Sequence, residues 1–332
     1  MGVDYSMSAM DWSDRSVLVA GGAGFVGSTL VRLLLDLGAR VVSFDDNSVG
    51  CSANLPDHSR LEIVEADACD ESKVVAAIQQ HRVEFLFDCI GDTFVPEAYD
   101  FPRRFFDRNL GTTLNLLTAA KAAGHVKRVL YVSSTEVYGE TDVELADESC
   151  PLLPLNTYAV SKLAADRLCH TYYLEHGLPV IVARIFNCYG PRATHPYVIP
   201  EIIRQLHEGP RLRLGNVAAE RDFTYVEDTA RALVAAMISV ADGDAVNVGS
   251  GRAYSVETLV ERIAARMGIA GAEIEVDPAR LRRRDIDRFC ADNGKLRRET
   301  GWAPQVPLDE GLERTIAWYR ENGCRWPWME RG

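Results

Sequence analysis

The stretch VLVAGGAGFVGSTL, Val17 to Leu30, decides the fold class of this chain. It begins with four apolar residues typical of a buried strand, continues through a glycine-rich turn, and ends in helical spacing of apolar residues. The turn has the pattern G-x-x-G-x-x-G, which lets the backbone approach a pyrophosphate and directs a helix N-terminus at the anion. For these glycines taken alone, the alternative is a turn that only packs a helix on a strand. The candidate cofactor contacts here are Gly21, Gly24, Phe25, Val26 and Gly27.

Strands and helices alternate on both sides of this stretch, through most of the first 185 residues. Apolar runs rich in β-branched residues predict strands at Ser16–Ala20, Arg40–Phe44, Leu61–Glu65, Phe85–Cys89, Arg128–Val132 and Val180–Ile185. Amphipathic segments predict helices at Phe25–Leu37, Ser72–His81, Pro102–Ala123 and Thr157–His176. Because neighbouring parallel strands need crossover helices, this alternation predicts an α/β fold with a Rossmann-type doubly wound parallel sheet.

In the rest of the chain, the predicted strands and helices alternate less regularly. We expect a smaller, C-terminal substrate-binding α/β domain there. Its helical segments are 196–209, 226–240, 255–268 and 308–322, and its short strands are 211–214 and 245–249. Ser255 is suited to cap the third of these helices and Gly268 to end it.

We therefore divide the chain into three parts. They are an N-terminal extension (1–15), an NAD-binding Rossmann domain (16–185), and a mainly substrate-binding part (186–332) from which some chain crosses back to the Rossmann domain. We expect the tail, 324–332, which contains two tryptophans and a proline, to pack on the body or at a contact between subunits.

Composition and charge restrict the class of partner. The chain has 332 residues and a net charge of −12, which argues against nucleic acid or an anionic membrane as a partner. Its eight cysteines are scattered without a C-x-x-C motif, a pattern that favours reduced thiols over a disulfide framework or a zinc site. The N-terminal residues lack the apolar core of a signal peptide, and no apolar run is long enough to span a bilayer. We expect a soluble, cytoplasmic protein without a metal site.

An acidic residue at the end of the second predicted strand indicates the kind of dinucleotide. Asp45 lies at the distance from the glycine turn expected for a carboxylate that binds the adenosine ribose hydroxyls. No arginine follows Asp45 to receive a 2′-phosphate, so NAD is favoured over NADP. Asp67, after the third strand, is suited either to bind the adenine amino group or to close a simple turn.

Two further patterns predict catalytic residues. SSTEVYG, Ser133 to Gly139, follows an apolar strand, and open α/β sheets bind ligands at the carboxyl ends of their strands. YAVSK places Tyr158 and Lys162 at i and i+4 on one helix face, where an ammonium beside a phenol favours the phenolate form that a general base needs. A Y-x-x-x-K pair alone is more often a surface feature, but its position downstream of the glycine turn and SSTE favours a catalytic site.

With these motifs together, the chain resembles the extended short-chain dehydrogenase/reductase family, in its NAD-dependent nucleotide-sugar epimerase/dehydratase branch. The resemblance extends from Ser16 to Trp318. It rests on GGAGFVGS, RNLGTT, SSTEVYG, YAVSK, RIFNCYGPR, VIPEII, LGN, RDFTYVEDTA, VNVGSG and ADNGKLRRETGW. The later motifs are most similar to those of NDP-hexosamine 4,6-dehydratases, and the UDP-glucuronate decarboxylases are close relatives.

The resemblance implies a role for each matching residue. Tyr158 would remove the proton of the sugar 4-hydroxyl, Ser134 would bond the same hydroxyl, and Lys162 would hold the nicotinamide ribose of NAD, which takes hydride from C4. Asn109 would either touch the ligands or order the backbone. The residues expected near the nucleotide diphosphate and sugar are Asn187, Arg192, Arg221 and the basic run Arg280–Asp285, including Arg282 and Arg283. The alternative for that run is a solvated basic face.

Glu136 distinguishes between the reactions of this branch. Oxidation at C4 makes the hydrogen on C5 acidic, and a carboxylate placed there can remove it. Loss of the 6-hydroxyl and return of hydride to C6 then complete a 4,6-dehydration. Plain 4-epimerases need no base at C5, so Glu136 favours a dehydratase, although it could instead only order its loop. The alternatives are an NDP-uronate decarboxylase, in which an arginine of 280–284 grips the carboxylate, a 4-epimerase, and a non-catalytic NAD-sensing scaffold.

Two positions depart from the resemblance. Some relatives have an aspartate where Thr135 stands, serving as the acid for the leaving water, and threonine is too weak an acid for that role. Relatives usually have an LAAQ-like stretch where this chain has CIGD, which places Asp92 in the loop expected beside the nicotinamide and sugar. We expect Asp92 to contribute to substrate choice or to replace the missing acid.

The two long predicted helices, 102–123 and 157–176, indicate the assembly. They resemble the pair of helices that forms a four-helix dimer interface in relatives. We therefore expect a homodimer whose partner is a second copy of this chain and whose substrate is a nucleotide-diphosphate sugar.

Overall fold

The structure is a computed structural model that describes residues 10–281 and 284–324. Arg282 and Arg283 of the predicted site, most of the N-terminal extension, and the tail beyond residue 324 lie outside the described residues. Among the helices that the structure describes, none has both the length and the apolar character needed to cross a membrane. Within the same ranges, no group of His, Cys, Asp and Glu side chains has the geometry of a metal site.

The strands are numbered along the described chain. They are β1 (Ser16–Ala20), β2 (Arg40–Asp45), β3 (Leu61–Glu65), β4 (Phe85–Asp88), β5 (Arg128–Ser134), β6 (Val180–Ile185), β7 (Asn187–Tyr189), β8 (Arg211–Leu214), β9 (Glu220–Tyr225), β10 (Ala245–Val248), β11 (Ala253–Ser255), β12 (Glu273–Val276) and β13 (Arg288–Phe289).

The α-helices are numbered in the same way. They are α1 (Phe25–Asp36), α2 (Glu71–Gln80), α3 (Val95–Ala98), α4 (Pro102–Phe106), α5 (Thr112–Ala123), α6 (Thr157–His176), α7 (Val198–Glu208), α8 (Val226–Ser239), α9 (Val256–Met267), α10 (Gly294–Thr300) and α11 (Leu308–Asn322). The predicted boundaries of the helix that begins after Ser255 are confirmed, because the Ser255 hydroxyl accepts from the Thr258 N–H and Gly268 ends the helix in the left-handed region.

Seven parallel strands form the central sheet, in the order β10-β6-β5-β4-β1-β2-β3. The chain runs outward from β1 in one direction and from β4 in the other, so a crevice opens between their carboxyl ends. The six predicted strands and the Rossmann-type sheet are confirmed. The short strand predicted at 245–249 is β10, and it extends this sheet by pairing with β6.

Both faces of the sheet are covered, because both carry apolar side chains. Along β1, Val17 and Val19 pack in one core cluster with residues of α1 and α8, whereas Leu18 and Ala20 pack in a second cluster with residues of α2, α5 and α6. A strand buried on both faces is typical of a parallel sheet. Because helices cover both faces, ligands can reach the sheet at the ends of its strands.

The long helix predicted at Pro102–Ala123 is interrupted. A π-helical turn, 107–111, separates α4 from α5. The side chain of Asn109 points inward from this turn and bonds the backbone of Asp92 and the hydroxyl of Ser161. Such turns occur often at functional sites, and here the turn places a buried polar side chain against the loop after β4 and against α6.

The C-terminal part has its own small sheets and its own core. Strand β9 pairs with β7, β11 and β13, and β8 pairs with β12. Sequence analysis did not predict β9, because its first half carries charged residues. In the folded protein these charges have partners, since Glu220 pairs with Arg288, and Asp222 accepts from the backbone of Ser250 and Gly251.

Candidate active site

One cavity of about 480 Å³ lies at the carboxyl edge of the central sheet. Its walls come from the turns after β1, β2, β4 and β5, the start of α6, and segments of the C-terminal part. This is the place at which an open α/β sheet binds ligands, and the volume suits a small-molecule site. Every predicted site residue that the structure describes lines this cavity except Asn109, Arg192 and, in the basic run, Leu281 and Arg284.

The glycine turn brings the start of α1 against the end of β1. A Cβ atom at Gly27 would lie 2.0 Å from the carbonyl oxygen of Gly21, and one at Gly21, where φ is +77°, would lie 2.9 Å from the backbone of Cys89. Gly24 is the N-cap of α1 and has no side chain with which to bond the first-turn N–H groups. The first turn, with Phe25 and Val26, therefore faces the cavity, and its N–H groups are suited to bind an anion.

Asp45 lies at the end of β2, on the cavity wall. Its two carboxylate oxygens accept from the N–H groups of Ala23, at 3.0 Å, and Asn47, at 2.9 Å. Burial raises the pKa of Asp45, and the two backbone donors oppose this effect. The backbone thus fixes the carboxylate in a position from which it can still accept from the hydroxyls of a ribose.

Sequence analysis missed a cation beside Asp45. Arg108, in the π-helical turn, lines the cavity and donates to the Ser48 hydroxyl at 2.7 Å, and its guanidinium lies 3.3 Å from the carboxylate of Asp46. The residues that follow Asp45 in the sequence could not reveal Arg108, because this arginine comes from a distant segment of the chain. Asp67 also lines the cavity, and its carboxylate accepts from the Cys69 N–H, so it closes a turn as well.

Tyr158 and Lys162 lie on the first turns of α6 and are both buried. The ammonium of Lys162 lies 4.5 Å from the centre of the Tyr131 ring. Burial lowers the pKa of Lys162 to about 8, although the negative charge of Asp88 opposes the shift. A Cβ atom at Gly91 would lie 3.3 Å from this ammonium, so the loop after β4 passes close to Lys162.

The carboxylate in the SSTE segment lines the same cavity as this pair. Strand β5 ends at Ser134, and a 3-10 turn, 135–137, follows. The Ser134 hydroxyl accepts from the Glu136 N–H at 3.2 Å, and the side-chain amide of Asn156 donates to the Glu136 carboxylate at 3.0 Å. Ser134 and Thr135, both buried, and the half-buried Glu136 therefore line the same cavity as Tyr158.

The structure places Asp92 on the cavity wall as an ion-paired group. Arg104 donates to its carboxylate at 2.6 Å and also contacts Glu97. Asp92 therefore lies on the cavity wall with its carboxylate bonded to Arg104, and its role in substrate choice or as the missing acid stays a prediction. The side chain of Asn109 accepts from the N–H of Asp92 and donates to its carbonyl oxygen, and Asn109 itself does not line the cavity. This agrees with a role in ordering the backbone.

The residues predicted near the nucleotide diphosphate separate into two groups. Asn187 and Arg221 line the cavity, and Arg221 forms an ion pair with Asp285 at 2.8 Å. Arg192 instead turns away from the cavity and donates to the Thr29 hydroxyl on α1 at 3.1 Å. Arg280, from the basic run, lines the cavity and pairs with Glu201 at 2.9 Å.

Sequence analysis also did not single out Thr93, Phe94, His195 and Tyr197, which line the same cavity. The Thr93 and Tyr197 hydroxyls lie 2.5 Å apart, and the rings of Phe94 and His195 are stacked with their centres 5.4 Å apart. Burial, with the nearby charge of Arg104, lowers the pKa of His195 to about 4, so this imidazole is neutral near pH 7. The only sequence signal was a histidine and a tyrosine just after the YGPR segment.

Comparison with known proteins gives the family and agrees with this geometry. A family model described as GDP-mannose 4,6 dehydratase matches residues 18–315. The chain is 30% identical to a dTDP-glucose 4,6-dehydratase of Neisseria gonorrhoeae over 337 residues, with 94% of this chain and 97% of that enzyme covered.

Solved structures give the same result. The dTDP-glucose 4,6-dehydratase DesIV from Streptomyces venezuelae, determined with NAD bound, has a TM-score of 0.88 at 32% identity over 94% of this chain and 99% of its own. The UDP-glucose 4-epimerase of Thermotoga maritima, determined with UDP-glucose, has a TM-score of 0.87 at 29% identity over 92% of this chain and 99% of its own. The resemblance inferred from the motifs is confirmed, and the chain belongs to the GDP-mannose 4,6 dehydratase family.

Proposed function

We propose that the protein is an NAD-dependent nucleotide-sugar 4,6-dehydratase, a lyase. The observation that carries this proposal is that Glu136 lines the same cavity as Tyr158 and Lys162. Oxidation at C4 needs a base for the 4-hydroxyl, and elimination needs a second base for the hydrogen on C5. A 4-epimerase needs only the first of these bases. The dTDP-glucose 4,6-dehydratases among the relatives support the same reaction.

The residues present fit a bound NAD. The uncapped start of α1 suits the pyrophosphate, and Asp45 suits the hydroxyls of the adenosine ribose. Asp67 lines the cavity beside Asp45, where the adenine end would lie, and Lys162 is suited to the nicotinamide ribose. When bound, NAD would supply the acceptor, and later the donor, of one hydride.

The side chains of this protein then carry out the proton transfers. Tyr158, with the ammonium of Lys162 close by on the same helix face, takes the proton of the 4-hydroxyl, and Ser134 bonds the same oxygen. Glu136 removes the hydrogen on C5 as a proton once C4 is a ketone, and this proton and the 6-hydroxyl are lost together as water. A hydride returned to C6 and a solvent proton at C5 would then complete the 4-keto-6-deoxy sugar. Arg221, which also lines the cavity, supplies positive charge for the diphosphate, with Asp285 bonded to its guanidinium.

A panel of UDP-, GDP- and dTDP-hexoses tests the proposed reaction. We expect one or more of them to lose water and give a 4-keto-6-deoxy sugar, identified by mass and by NMR. Release of carbon dioxide from a nucleotide-linked uronate would instead identify a decarboxylase. A product that differs from the substrate only in configuration at C4 would identify an epimerase, and either result would refute the proposal.

Replacement of Asp45 by Asn tests the assignment of the adenosine end. The amide keeps one acceptor for the backbone but loses the charge that binds the ribose hydroxyls, so we expect NAD to bind at least about 10-fold more weakly. Titration of the NAD-free protein measures this, together with the NAD that purified protein releases on denaturation. Asp57→Asn, the same change at an exposed loop position, is the matched control. Equal affinity in the Asp45 variant would remove Asp45 from the site.

We also propose a homodimer that packs through α5 and α6. Large apolar side chains are exposed on these helices, with Leu174 at 67%, Leu114 at 41% and Val160 at 40% exposure. Val160 and Leu174 lie on one face of α6, because they are separated by about four helical turns. The free cysteines support a reducing compartment, and we place the dimer in the cytoplasm.

Leu174→Glu tests this interface. A charge in the centre of an apolar contact leaves a buried carboxylate unpaired, so we expect monomers in sedimentation experiments at micromolar concentrations at which the unaltered protein is dimeric. Val276→Glu places the same charge on β12, at a site of 49% exposure away from these helices, and should leave the dimer intact. A monomeric unaltered protein would refute the dimer.

A further inference from the structure

The proposed reaction needs two bases that act on adjacent carbons of one sugar, and these bases lie on different elements. Asn156 connects the elements. It is the N-cap of α6, with φ −145° and ψ 166°, and its side-chain oxygen accepts from the Ala159 N–H at 2.8 Å. Its side-chain nitrogen donates to the carboxylate of Glu136 at 3.0 Å. One side chain therefore bonds the start of the helix that carries Tyr158 and also bonds Glu136.

The cap determines which way the Asn156 amide points. If the amide were turned over, its NH₂ group would face the N–H of Ala159, and two donors would oppose each other. The preferred orientation therefore places the oxygen at the helix start and the NH₂ group toward Glu136. A helix cap, which any of several residues could provide, is here combined with a side-chain N–H donor, which among the good N-cap residues only asparagine has.

Both ends of this connection lie on regular elements of the fold. Tyr158 follows Asn156 within the first turn of α6, and Lys162 follows one turn later on the same face. Glu136 lies in the 3-10 turn directly after β5, where the Ser134 hydroxyl bonds its N–H. The bond between Asn156 and Glu136 therefore sets the distance between a carboxylate and a phenol on two well-packed elements.

We propose that Asn156 is a positioning residue that holds Glu136 in place for removal of the C5 proton. This inference rests on the proposed function. Asn156 exchanges no proton in the reaction: the C5 proton passes to the Glu136 carboxylate, and the amide hydrogen stays on nitrogen. Titratable side chains from several elements face the cavity around Glu136, and none is altered in the test below; they are Asp92, Tyr158, Lys162, His195 and Tyr197.

Two substitutions separate the cap from the donor. Asn156→Ser keeps a good N-cap but provides no amide to Glu136, and Asn156→Asp keeps the cap but sets a second carboxylate against Glu136. Two rates are measured with the nucleotide hexose from the panel that the unaltered enzyme converts fastest. C4 oxidation is followed by the absorbance of reduced nicotinamide in a single turnover, and C5 proton removal by deuterium uptake from solvent.

We expect Asn156→Ser to slow deuterium uptake at C5 about 10-fold to 100-fold, with C4 oxidation changed less than about 3-fold. In Asn156→Asp we expect a larger loss of uptake that recovers as the pH rises, because the second carboxylate disfavours ionisation of Glu136. Asp70→Ala removes the N-cap of α2, a helix that carries none of the proposed catalytic residues, and controls for the loss of a cap alone.

The outcomes separate this inference from the proposed function. If the unaltered enzyme forms no 4-keto-6-deoxy product from any sugar nucleotide, the proposed function fails and the inference fails with it. If the product forms but Asn156→Ser slows both rates equally, or neither, Asn156 only caps its helix and the inference alone is overturned. Unchanged pH dependence in Asn156→Asp, with the protein folded, would also overturn it.

Discussion

Glu136→Gln should stop the reaction after its first half. The amide is nearly the same size as the carboxylate but cannot accept the C5 proton, so we expect dehydration to fall by about 10²-fold to 10⁴-fold. Tyr158 and Lys162 are untouched, and oxidation at C4 should continue. In a single turnover, reduced nicotinamide and the 4-keto hexose should accumulate, and solvent deuterium should not enter C5.

A control at a neighbouring position makes this result specific. Glu140→Gln is the same chemical change on an exposed side chain four residues further along, and it should leave turnover unaltered. The assignment is contradicted if Glu136→Gln forms the dehydrated product at the normal rate. It is also contradicted if C4 oxidation is lost, because Glu136 would then act in the first step or only maintain its loop.

Tyr158→Phe should block the reaction one step earlier. Removal of the phenolic oxygen takes away the base for the sugar 4-hydroxyl, and we expect turnover to fall by about 10²-fold to 10⁴-fold. Neither the ketone nor reduced nicotinamide should form, and C5 should exchange no hydrogen, because its acidity depends on the ketone. The two variants therefore differ in what accumulates, although both lack product.

Tyr172→Phe provides the matched control for this second variant. Tyr172 lies further along α6, where its hydroxyl is 2.9 Å from that of Thr118. Loss of that bond should leave the C4 oxidation rate unchanged. Normal accumulation of the 4-keto hexose by Tyr158→Phe would show that another group is the base.

The sequence predicted the sheet well, because β1, β4, β5 and β6, in its middle, are mostly apolar runs whose side chains are buried. Strand β9 escaped prediction because the charges of Glu220 and Arg221 are compensated by Arg288 and Asp285, which come from much later in the chain. The π-helical turn was not predicted for a similar reason, because it is stabilised by the contact of Asn109 with Asp92, in the loop after β4. Periodicity contains no information about such partners.

For the site, too, local sequence patterns could be predicted and contacts between distant segments could not. Residues in local motifs, such as the glycine turn and the Tyr158–Lys162 pair, could be placed in one site from their spacing. The partners that set their chemistry could not, because Arg104 lies beside Asp92, and Asn156 beside Glu136, only after the chain has folded. Asn156 could be recognised from the sequence as a helix cap, but its bond to Glu136 depends on tertiary structure.

A substrate labelled with deuterium at C4 tests the central claim most directly. The nucleotide hexose that the enzyme turns over is prepared with this label and converted in ordinary water. The hydrogen taken from C4 and the hydrogen delivered to C6 are the same atom in our account, so the label should appear at C6 of a 4-keto product. Label that stays on C4 in the isolated product, with C6 unaltered, would contradict dehydration and leave Glu136 without a chemical role.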